Sequence, residues 1–284
     1  MASHHSHSHS NRPGYSAPHE HNLEKIPPPW VSAFRQSYPN KPASGNDNLK
    51  PTSFTLSTVS VLNYTHPING EKKIVYRPHA RIVMFRGFAF SPNSGILTVT
   101  TDRRMPKFEQ LASKTTEGTF EGCFYFPEKF HQFRISGTSK LVYLKAPEYN
   151  GEQVPNLDLA NAKVVVYDAQ TETETDADHG VIDEFNKAWD ALSPGMKLTF
   201  TKPPPGSEFT PEAFEQLEKV EEKTQKVLGG EELDLKLIQE GRSNFVLILL
   251  IPEVVDFVDV TGAGRRVLFT RRSEYEWIFH EVCP

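Results

Sequence analysis

The spacing of apolar residues divides the chain into regions of strand-like and helix-like pattern. Between Phe54 and Leu144, short runs of β-branched and aromatic residues are separated by turn residues, which is typical of antiparallel strands. We predict strands in this region at residues 54–62, 81–88, 95–101, 119–126 and 133–144. Further strands are predicted near the C-terminus at residues 245–251, 254–260, 265–271 and 277–282.

Helical spacing occurs before the first group of strands and between the two groups. Trp30 and Phe34 lie one helical turn apart and predict a short helix that ends near Tyr38-Pro39. In the middle of the chain, Phe185 and Trp189 repeat with the same spacing. We also expect a helix at residues 211–228 after the N-cap residue Thr210, short helices at residues 105–114 and 127–132, and an acidic loop at residues 168–178.

The order of these elements predicts a mainly β (α+β) fold. A meander of N-terminal strands alone would leave exposed edges, and a barrel removes them, so we expect the C-terminal strands to close an antiparallel β-barrel. The helices would lie outside it. We predict one domain at residues 27–284, with a helical insertion at about residues 181–240, after a disordered His-rich leader at residues 1–26.

Composition excludes several classes of partner. The 31 basic and 36 acidic residues give a net charge of −5, which provides no overall basic surface for nucleic acid or an anionic membrane. Cys123 and Cys283 lack the spacing of a metal site or a disulfide framework. The longest apolar run, residues 245–251, is too short to cross a membrane. We expect a cytoplasmic protein without a metal; the alternative for the leader is metal binding by its histidines.

The strongest candidate chemistry lies between residues 81 and 107. Arg81 and Arg86 bracket a hydrophobic strand, and their odd spacing places them on opposite faces of it. The hydroxyls of Thr100 and Thr101 end the next strand, and a basic turn leads from there to Lys107. Hydroxyl groups and cations that converge from several directions are suited to bind a phosphate monoester.

These residues resemble the FMN-binding series of the pyridoxamine 5′-phosphate oxidase-like split barrels. The pattern combines Arg-x-Val-x-x-Arg, a strand-ending Thr followed six positions later by Lys, and Gln-x-x-Ile-x-Gly. The residues that carry it are Arg81, Val83, Arg86, Thr101, Lys107 and Gln132. Pro29-Trp30 and the segments at residues 54–59, 85–88, 101–104 and 125–127 are similar to the Alr4036-type branch of that superfamily.

The resemblance implies an antiparallel split β-barrel that binds FMN at the interface of a homodimer. The residues that it assigns to the FMN phosphate are Arg81, Thr101 and Lys107, and Thr100 is a further candidate for cofactor binding. It assigns the backbone of Ile82, Val83 and Met84 to the isoalloxazine ring, and Gln132 to the ring or the ribityl chain. Arg266 would reach the cofactor from the second subunit.

We therefore expect an FMN-dependent oxidoreductase that transfers hydride from a small organic substrate to the flavin. Arg86 and Lys197 are the candidates for substrate binding, whereas the catalytic residues stay unassigned. The alternatives are a flavin-binding protein without turnover, or a split barrel that uses haem or a deazaflavin. Gly262 and Gly264 stand where pyridoxamine-phosphate oxidases carry an Arg-x-His pair, which disfavours a vitamin B6 substrate.

Overall fold

The computed structural model describes residues 27–38, 52–146, 148–149, 152–153, 162–232 and 234–284; the predicted leader lies outside them. The helices are α1 (Pro29–Ser37), α2 (Pro106–Ala112), α3 (His179–Asp190), α4 (Pro194–Thr199), α5 (Pro211–Leu228) and α6 (Leu235–Asn244). The strands are β1 (Thr52–Thr65), β2 (Lys72–Phe85), β3 (Leu97–Asp102), β4 (Thr119–Phe126), β5 (His131–Lys145), β6 (Glu148–Tyr149), β7 (Glu152–Gln153), β8 (Lys163–Asp168), β9 (Thr173–Asp176), β10 (Phe245–Asp259), β11 (Arg265–Arg271) and β12 (Trp277–Val282).

One large antiparallel sheet organises these strands in the order β12-β11-β10-β5-β4-β1-β2. The long strand β10 pairs with β5 along most of its length, with β3 along its first half and with β11 along its second half. A register irregularity between Pro252 and Val254 divides the two halves, where the sequence predicted two separate strands. The C-terminal strand therefore joins the N-terminal meander, as expected.

The ladders do not close into a complete barrel. β2 and β3 are joined only where β2 has ended: the Arg86 N–H donates to the Thr98 carbonyl, the Thr98 N–H donates to the Gly87 carbonyl, and Phe88 forms an isolated bridge with Leu97. Gly87 has a φ of 123°, a conformation that favours glycine and turns the chain out of the strand. The expectation of full closure was thus wrong: among the described residues, no ladder joins the rest of β2 to β3, and we refer to the gap between these two strand edges as the cleft.

Two apolar cores lie on the two sides of the sheet. The inner core is lined by aromatic side chains of β4 and β5, and α1 packs into it through the fully buried Trp30 and Phe34. The outer core lies where α3 covers β10, and it buries Phe185 and Trp189 against Phe245. Alternate residues of β10 therefore enter different cores, as the period of a strand requires.

Two predictions of local structure were wrong. Residues 168–178 do not form a loop throughout, because β8 and β9 pair there and Glu174 accepts hydrogen bonds from Tyr143 and Lys145 of β5. The helix predicted at residues 127–132 does not form: residues 127–130 form a turn, with a φ of 54° at Phe130, and β5 begins at His131. In both places, pairing with a neighbouring strand outweighs the local composition.

The helical middle of the chain is confirmed in outline. α3 and α5 match the predicted segments, and the side chain of Thr210 accepts a hydrogen bond from the Ala213 N–H as an N-cap. The short helices α4 and α6 were not predicted. None of the helices among the described residues is long and apolar enough to cross a membrane.

Candidate functional site

Arg81 is held at the end of the cleft by three polar contacts. Its Nη1 donates to Thr58 Oγ1 at 2.6 Å and to the Leu56 carbonyl at 3.3 Å, while its Nη2 donates to Gln110 Oε1 at 2.7 Å. Thr58 also donates to Gln110 Oε1, at 2.5 Å. Because Thr58 and Gln110 are buried, they fix the guanidinium in one orientation.

Lys107 brings a second cation to the same place. It lies in the first turn of α2, and its Nζ donates to Thr101 Oγ1 at the end of β3 over 2.8 Å. The structure brings together Arg81, Thr101 and Lys107, which the sequence analysis had grouped, and their role as a phosphate site stays a prediction. The sequence analysis missed Gln110, which lies three residues after Lys107 on the same helix, and Thr58, for which no local pattern exists.

The electrostatics of this group favour an anion. Burial lowers the pKa of Lys107, the charge of Arg81 lowers it further, and the opposing effect of Asp102 is smaller. Asp102 is itself engaged by Arg104, whose Nη2 lies 2.6 Å from Asp102 Oδ2. Neither Arg81 nor Lys107 forms an ion pair with a residue that the structure describes. A phosphate dianion would remove the repulsion between the two cations.

Arg86 lies beyond the end of β2 and is a different kind of cation. Its Nε is buried without a hydrogen-bond partner among the described residues, and burial lowers the pKa of its guanidinium. A buried charged donor without a partner is energetically costly, so a ligand that supplies an acceptor would stabilise it. The structure thus provides a second anion-binding candidate, separate from the Arg81–Lys107 pair.

The strand between these cations presents a free edge and an apolar face. Among the described strands, β2 forms a ladder only with β1, so backbone groups of Ile82, Val83 and Met84 on its other edge are open to a ligand. The Val83 side chain packs against the inner core, whereas Ile82 is 75% exposed and Met84 39% exposed. A flat ring with polar edges fits such a strand.

Gln132 and Arg266 lie in one row on the outer face of the sheet. Both are register partners of Val258, which lies between them on β10. Arg266 forms a bidentate ion pair with Asp256 at 2.9 Å through Nε and Nη2, and Arg134 also contacts Asp256. Gln132 and Arg266 are three and five strands from β2, or about 14 Å and 24 Å along the sheet at about 4.8 Å per strand.

Two other candidate residues, Thr100 and Lys197, do not contribute to the cation pair. Thr100 points to the opposite face of β3 from Thr101, because consecutive residues of a strand alternate. Lys197 lies on α4, with its Nζ 5.5 Å from the centroid of the Trp189 ring. Lys197 therefore contacts the outer core and not Arg81 or Lys107.

The contacts of His131 indicate a structural role. Its Nδ1 is 2.7 Å from Ser37 Oγ, and its Nε2 is 3.5 Å from Asp259 Oδ2. Ser37 is buried and donates to the Ala33 carbonyl, so this contact joins His131 to the end of α1. Among the described residues, no group of three or more His, Cys, Asp or Glu side chains could hold a metal ion.

A cavity of about 540 Å³ lies next to the cation pair on the side of the helical segment. One wall is formed by the end of β3 and the start of α2, including Thr101, Met105 and Lys107. The other wall is formed by residues 199–209 and the first half of α5, and it includes Lys202. No sequence pattern predicted this cavity, because its walls are about a hundred residues apart in the chain.

Comparisons with known proteins identify the family that the N-terminal half of the chain resembles. Residues 27–143 match the family model described as the FMN-binding domain of pyridoxamine 5′-phosphate oxidase. This region belongs to that FMN-binding superfamily. Arg81, Thr101, Lys107 and Gln132 all lie within the matched region, and FMN is confirmed as the cofactor of the domain. The Alr4036-type branch stays a prediction.

Relatives extend the similarity over most of the chain. An uncharacterized protein of Saccharomyces cerevisiae is 26% identical and aligns with 90% of this chain and 98% of its own length. Pyridoxine/pyridoxamine 5′-phosphate oxidase 2 of Arabidopsis thaliana is 27% identical over 73% of this chain and 81% of its own.

Among solved structures, a pyridoxamine 5′-phosphate oxidase-related, FMN binding protein of Nostoc punctiforme PCC 73102 superposes with a TM-score of 0.54 and 24% identity. The match covers 90% of this chain and 98% of that one. This likeness confirms the predicted fold class, a mainly antiparallel split β-barrel with peripheral helices.

Proposed function

We propose that this protein is an FMN-dependent oxidoreductase that accepts hydride from a small organic substrate carrying an anionic group. The observation that carries the proposal is the unpaired cation pair Arg81 and Lys107, at the end of a cleft inside an FMN-binding domain. Two half-buried cations that form no ion pair with a described residue match a phosphate dianion in charge. The residues present therefore fit the phosphate end of FMN.

Each group in the cleft has a distinct role in this proposal. Arg81 and Lys107 bind the phosphate, and Thr101 supplies a hydroxyl beside Lys107. The free backbone edge at residues 82–84 orients the flavin ring, which is the part of the bound cofactor that accepts the hydride. Arg86, on the far side of this strand segment, binds the anionic group of the substrate and holds it near the ring.

We further propose that the active form is a homodimer with FMN at its interface. Gln132 and Arg266 lie about 14 Å and 24 Å from β2 along the sheet, which curves around the inner core. Within one chain, the two side chains therefore point away from the cleft. A second copy that packs on this face would bring its own Gln132 and Arg266 to the flavin. The bidentate pair with Asp256 leaves Nη1 of Arg266 for such a contact.

The substrate is proposed to differ from that named for the Arabidopsis relative. Gly262 and Gly264 lie in the turn between β10 and β11 with φ values of 57° and 77°. A Cβ at Gly264 would lie 3.1 Å from Pro284 Cγ, and both φ values are unfavourable for larger side chains. The Arg-x-His pair expected for a vitamin B6 oxidase is therefore absent, and the turn is not shaped for it. We expect no turnover of pyridoxine 5′-phosphate.

The first experiment is identification of the cofactor, followed by a test of turnover. Denaturation and mass spectrometry should release FMN from a yellow protein with absorption bands near about 375 and 450 nm. Anaerobic mixing with amine, alcohol and NAD(P)H donors should then bleach the 450 nm band with at least one of them, and air should restore it. Full flavin loading without reduction by any donor would favour a binding protein, and Soret absorption would favour haem.

The proposed role of Arg86 is tested by its replacement. Arg86→Ala should keep most of its FMN, because Arg86 is separate from the Arg81–Lys107 pair. The rate of flavin reduction by an anionic donor should fall about 10- to 150-fold, and reduction by an uncharged donor should change little. Equal losses with both donors would contradict a contact with the substrate anion.

A further inference from the structure

Asp102 is an acidic residue inside the proposed phosphate site. It ends β3 directly after Thr101, and it lines the same cavity as Lys107. Asp102 and Lys107 therefore border one space, and the carboxylate raises the pKa of Lys107 against the opposite effect of Arg81. A carboxylate in this position repels a phosphate and offers Lys107 a competing partner.

Arg104 engages both oxygens of this carboxylate. Its Nε donates to Asp102 Oδ1 at 3.0 Å, and its Nη2 donates to Asp102 Oδ2 at 2.6 Å. The Arg104 backbone N–H also donates to Oδ1, at 2.8 Å. The Asp102 side chain is only 10% exposed, so its charge would be strongly unfavourable without a partner. If Arg104 were removed, Asp102 would therefore pair with another cation within its reach.

Arg104 is itself fixed by the helical segment. Its Nη2 donates to the Phe200 carbonyl at 2.9 Å, and the Asn244 side chain donates to the same carbonyl at 2.9 Å. The Arg103 N–H donates to the Asn244 carbonyl at 2.7 Å, which joins the basic turn to the end of α6. These contacts hold the Arg104 guanidinium in the position in which it binds Asp102.

Few other charged groups surround Lys107 in the part of the chain that the structure describes. Arg81 acts on it from β2, and Lys202 and Glu208 lie in the opposite wall of the cavity, where Glu208 is exposed. Of the acidic groups described, Asp102 is the one whose charge raises the pKa of Lys107. Asp102 is therefore the acidic group that can compete with a phosphate for Lys107.

We propose that Arg104 is a positioning residue that withholds Asp102 from Lys107 and so keeps the Lys107 ammonium available to the FMN phosphate. The inference rests on the proposed function, because it takes Lys107 as a ligand of that phosphate. In this assignment Arg104 acts through Asp102 and not by contact with the cofactor. Without Arg104, the Asp102 carboxylate would form an ion pair with Lys107, and FMN would have to displace it.

The pKa of Lys107 in the cofactor-free full-length protein tests the inference without FMN. NMR titration of protein with isotope-labelled lysine follows the side chain, and Lys107→Arg identifies its signal. Arg104→Gln should raise the pKa of Lys107 above its wild-type value, because the released carboxylate stabilises the ammonium. Asp102→Asn should lower that pKa, and the double variant Arg104→Gln/Asp102→Asn should not show the rise.

FMN affinity, measured by fluorescence titration, is the second readout. Arg104→Gln should lower the affinity about 10-fold, and the added Asp102→Asn should restore it to within about threefold of the wild type. Arg103→Gln is the matched control, because Arg103 carries the same charge in the same turn but lies over the Tyr143 ring, with 4.7 Å between its Cζ and the ring centroid. This variant should lower FMN affinity less than about threefold.

These readouts separate the inference from a purely structural ion pair once thermal melting has shown the variants to be folded. An unchanged or lowered Lys107 pKa in Arg104→Gln would overturn the inference. So would a loss of FMN affinity that Asp102→Asn does not restore, or one that Arg103→Gln equals.

Arg104→Lys takes the place of Arg104→Gln if that variant does not fold, because lysine keeps the charge but cannot bind both carboxylate oxygens in the same way. It should shift the Lys107 pKa and the FMN affinity in the same directions by smaller amounts, and no shift in either would overturn the inference. If the wild-type protein does not bind FMN, the proposed function fails, whereas the titration of Lys107 still decides whether Arg104 withholds Asp102 from it.

Discussion

Two parts of the outer face of the same sheet differ in what covers them. Along β10, the outward residues Phe245 and Leu247 are fully buried under the helical segment, where Trp189 lies 5.2 Å from Phe245 between ring centroids. Along β2 and β4, the outward residues Ile82 and Tyr125 are 75% and 56% exposed. The chain supplies a cover for the first part and none, among the described residues, for the second.

The difference concerns polarity as well as cover. The helix-covered part is apolar, whereas the open part combines exposed apolar side chains with the Arg134, Asp256 and Arg266 cluster and with Gln132. Interfaces between proteins typically combine these two kinds of surface, with arginine and aromatic residues enriched. The comparison therefore assigns the helix-covered part to stability and makes the open part the candidate surface for the proposed dimer.

The largest expected effect is a loss of stability from a substitution in the helix-covered part. Trp189→Ala removes a buried aromatic side chain from the outer core and should lower the free energy of unfolding by about 3–5 kcal/mol. Tyr125→Ala on the open part should lower it by less than about 1 kcal/mol when the monomer is measured. Urea denaturation at low protein concentration compares the two variants, and similar losses would contradict the division.

The next effect concerns the open part alone. Ile82→Asp places a carboxylate on a face that a second copy is proposed to cover, and an unpaired buried charge is strongly unfavourable. The dimer dissociation constant should rise at least about 100-fold, or about 2.7 kcal/mol, while the monomer keeps its circular dichroism spectrum. Sedimentation equilibrium measures this change. Leu228→Asp at the exposed end of α5 is the control and should leave the dimer unchanged.

A smaller effect tests the cation pair at the border of the open part. Arg81→Ala and Lys107→Ala each remove a charge-assisted contact of about 1.5–3 kcal/mol, so FMN affinity should fall about 10- to 150-fold. Fluorescence titration gives the dissociation constants, and thermal melting must show that the fold is retained. The assignment fails if both variants stay folded and fully loaded at limiting FMN.

The smallest effect is a pH dependence of cofactor binding. The pKa of Lys107 in the cofactor-free protein is lowered by burial and by Arg81, so its ammonium loses the proton below the usual lysine value of about 10.4. FMN affinity should therefore begin to fall as the pH rises toward that value. Lys107→Arg should stay flat over the same range, because arginine keeps its charge. Parallel curves for the two proteins would exclude Lys107 as the titrating group.

Local patterns predicted many of the strands and helices because apolar spacing and helix capping depend on residues that are close in the chain. The bounds of β4, β11 and β12 and of helix α5 agree with the apolar spacing and with the cap at Thr210. The patterns failed at the β8–β9 hairpin, where Glu174 finds its partners on β5, and at the cleft, where Gly87 turns the chain away from β3. A partner or a backbone angle of this kind is not encoded in neighbouring residues.

The sequence by itself determined the order of strands and helices and the group of Arg81, Thr101 and Lys107, because strand alternation, helix spacing and charge depend on short stretches of chain. Tertiary structure decided the rest. It brought Thr58 and Gln110 into contact with Arg81. It also paired Arg266 with Asp256 and placed Lys197 over the Trp189 ring. The cavity between Lys107 and Lys202 likewise formed only when distant segments met. These contacts join residues distant in the chain, and burial and pairing over such separations are settled only when the two cores pack.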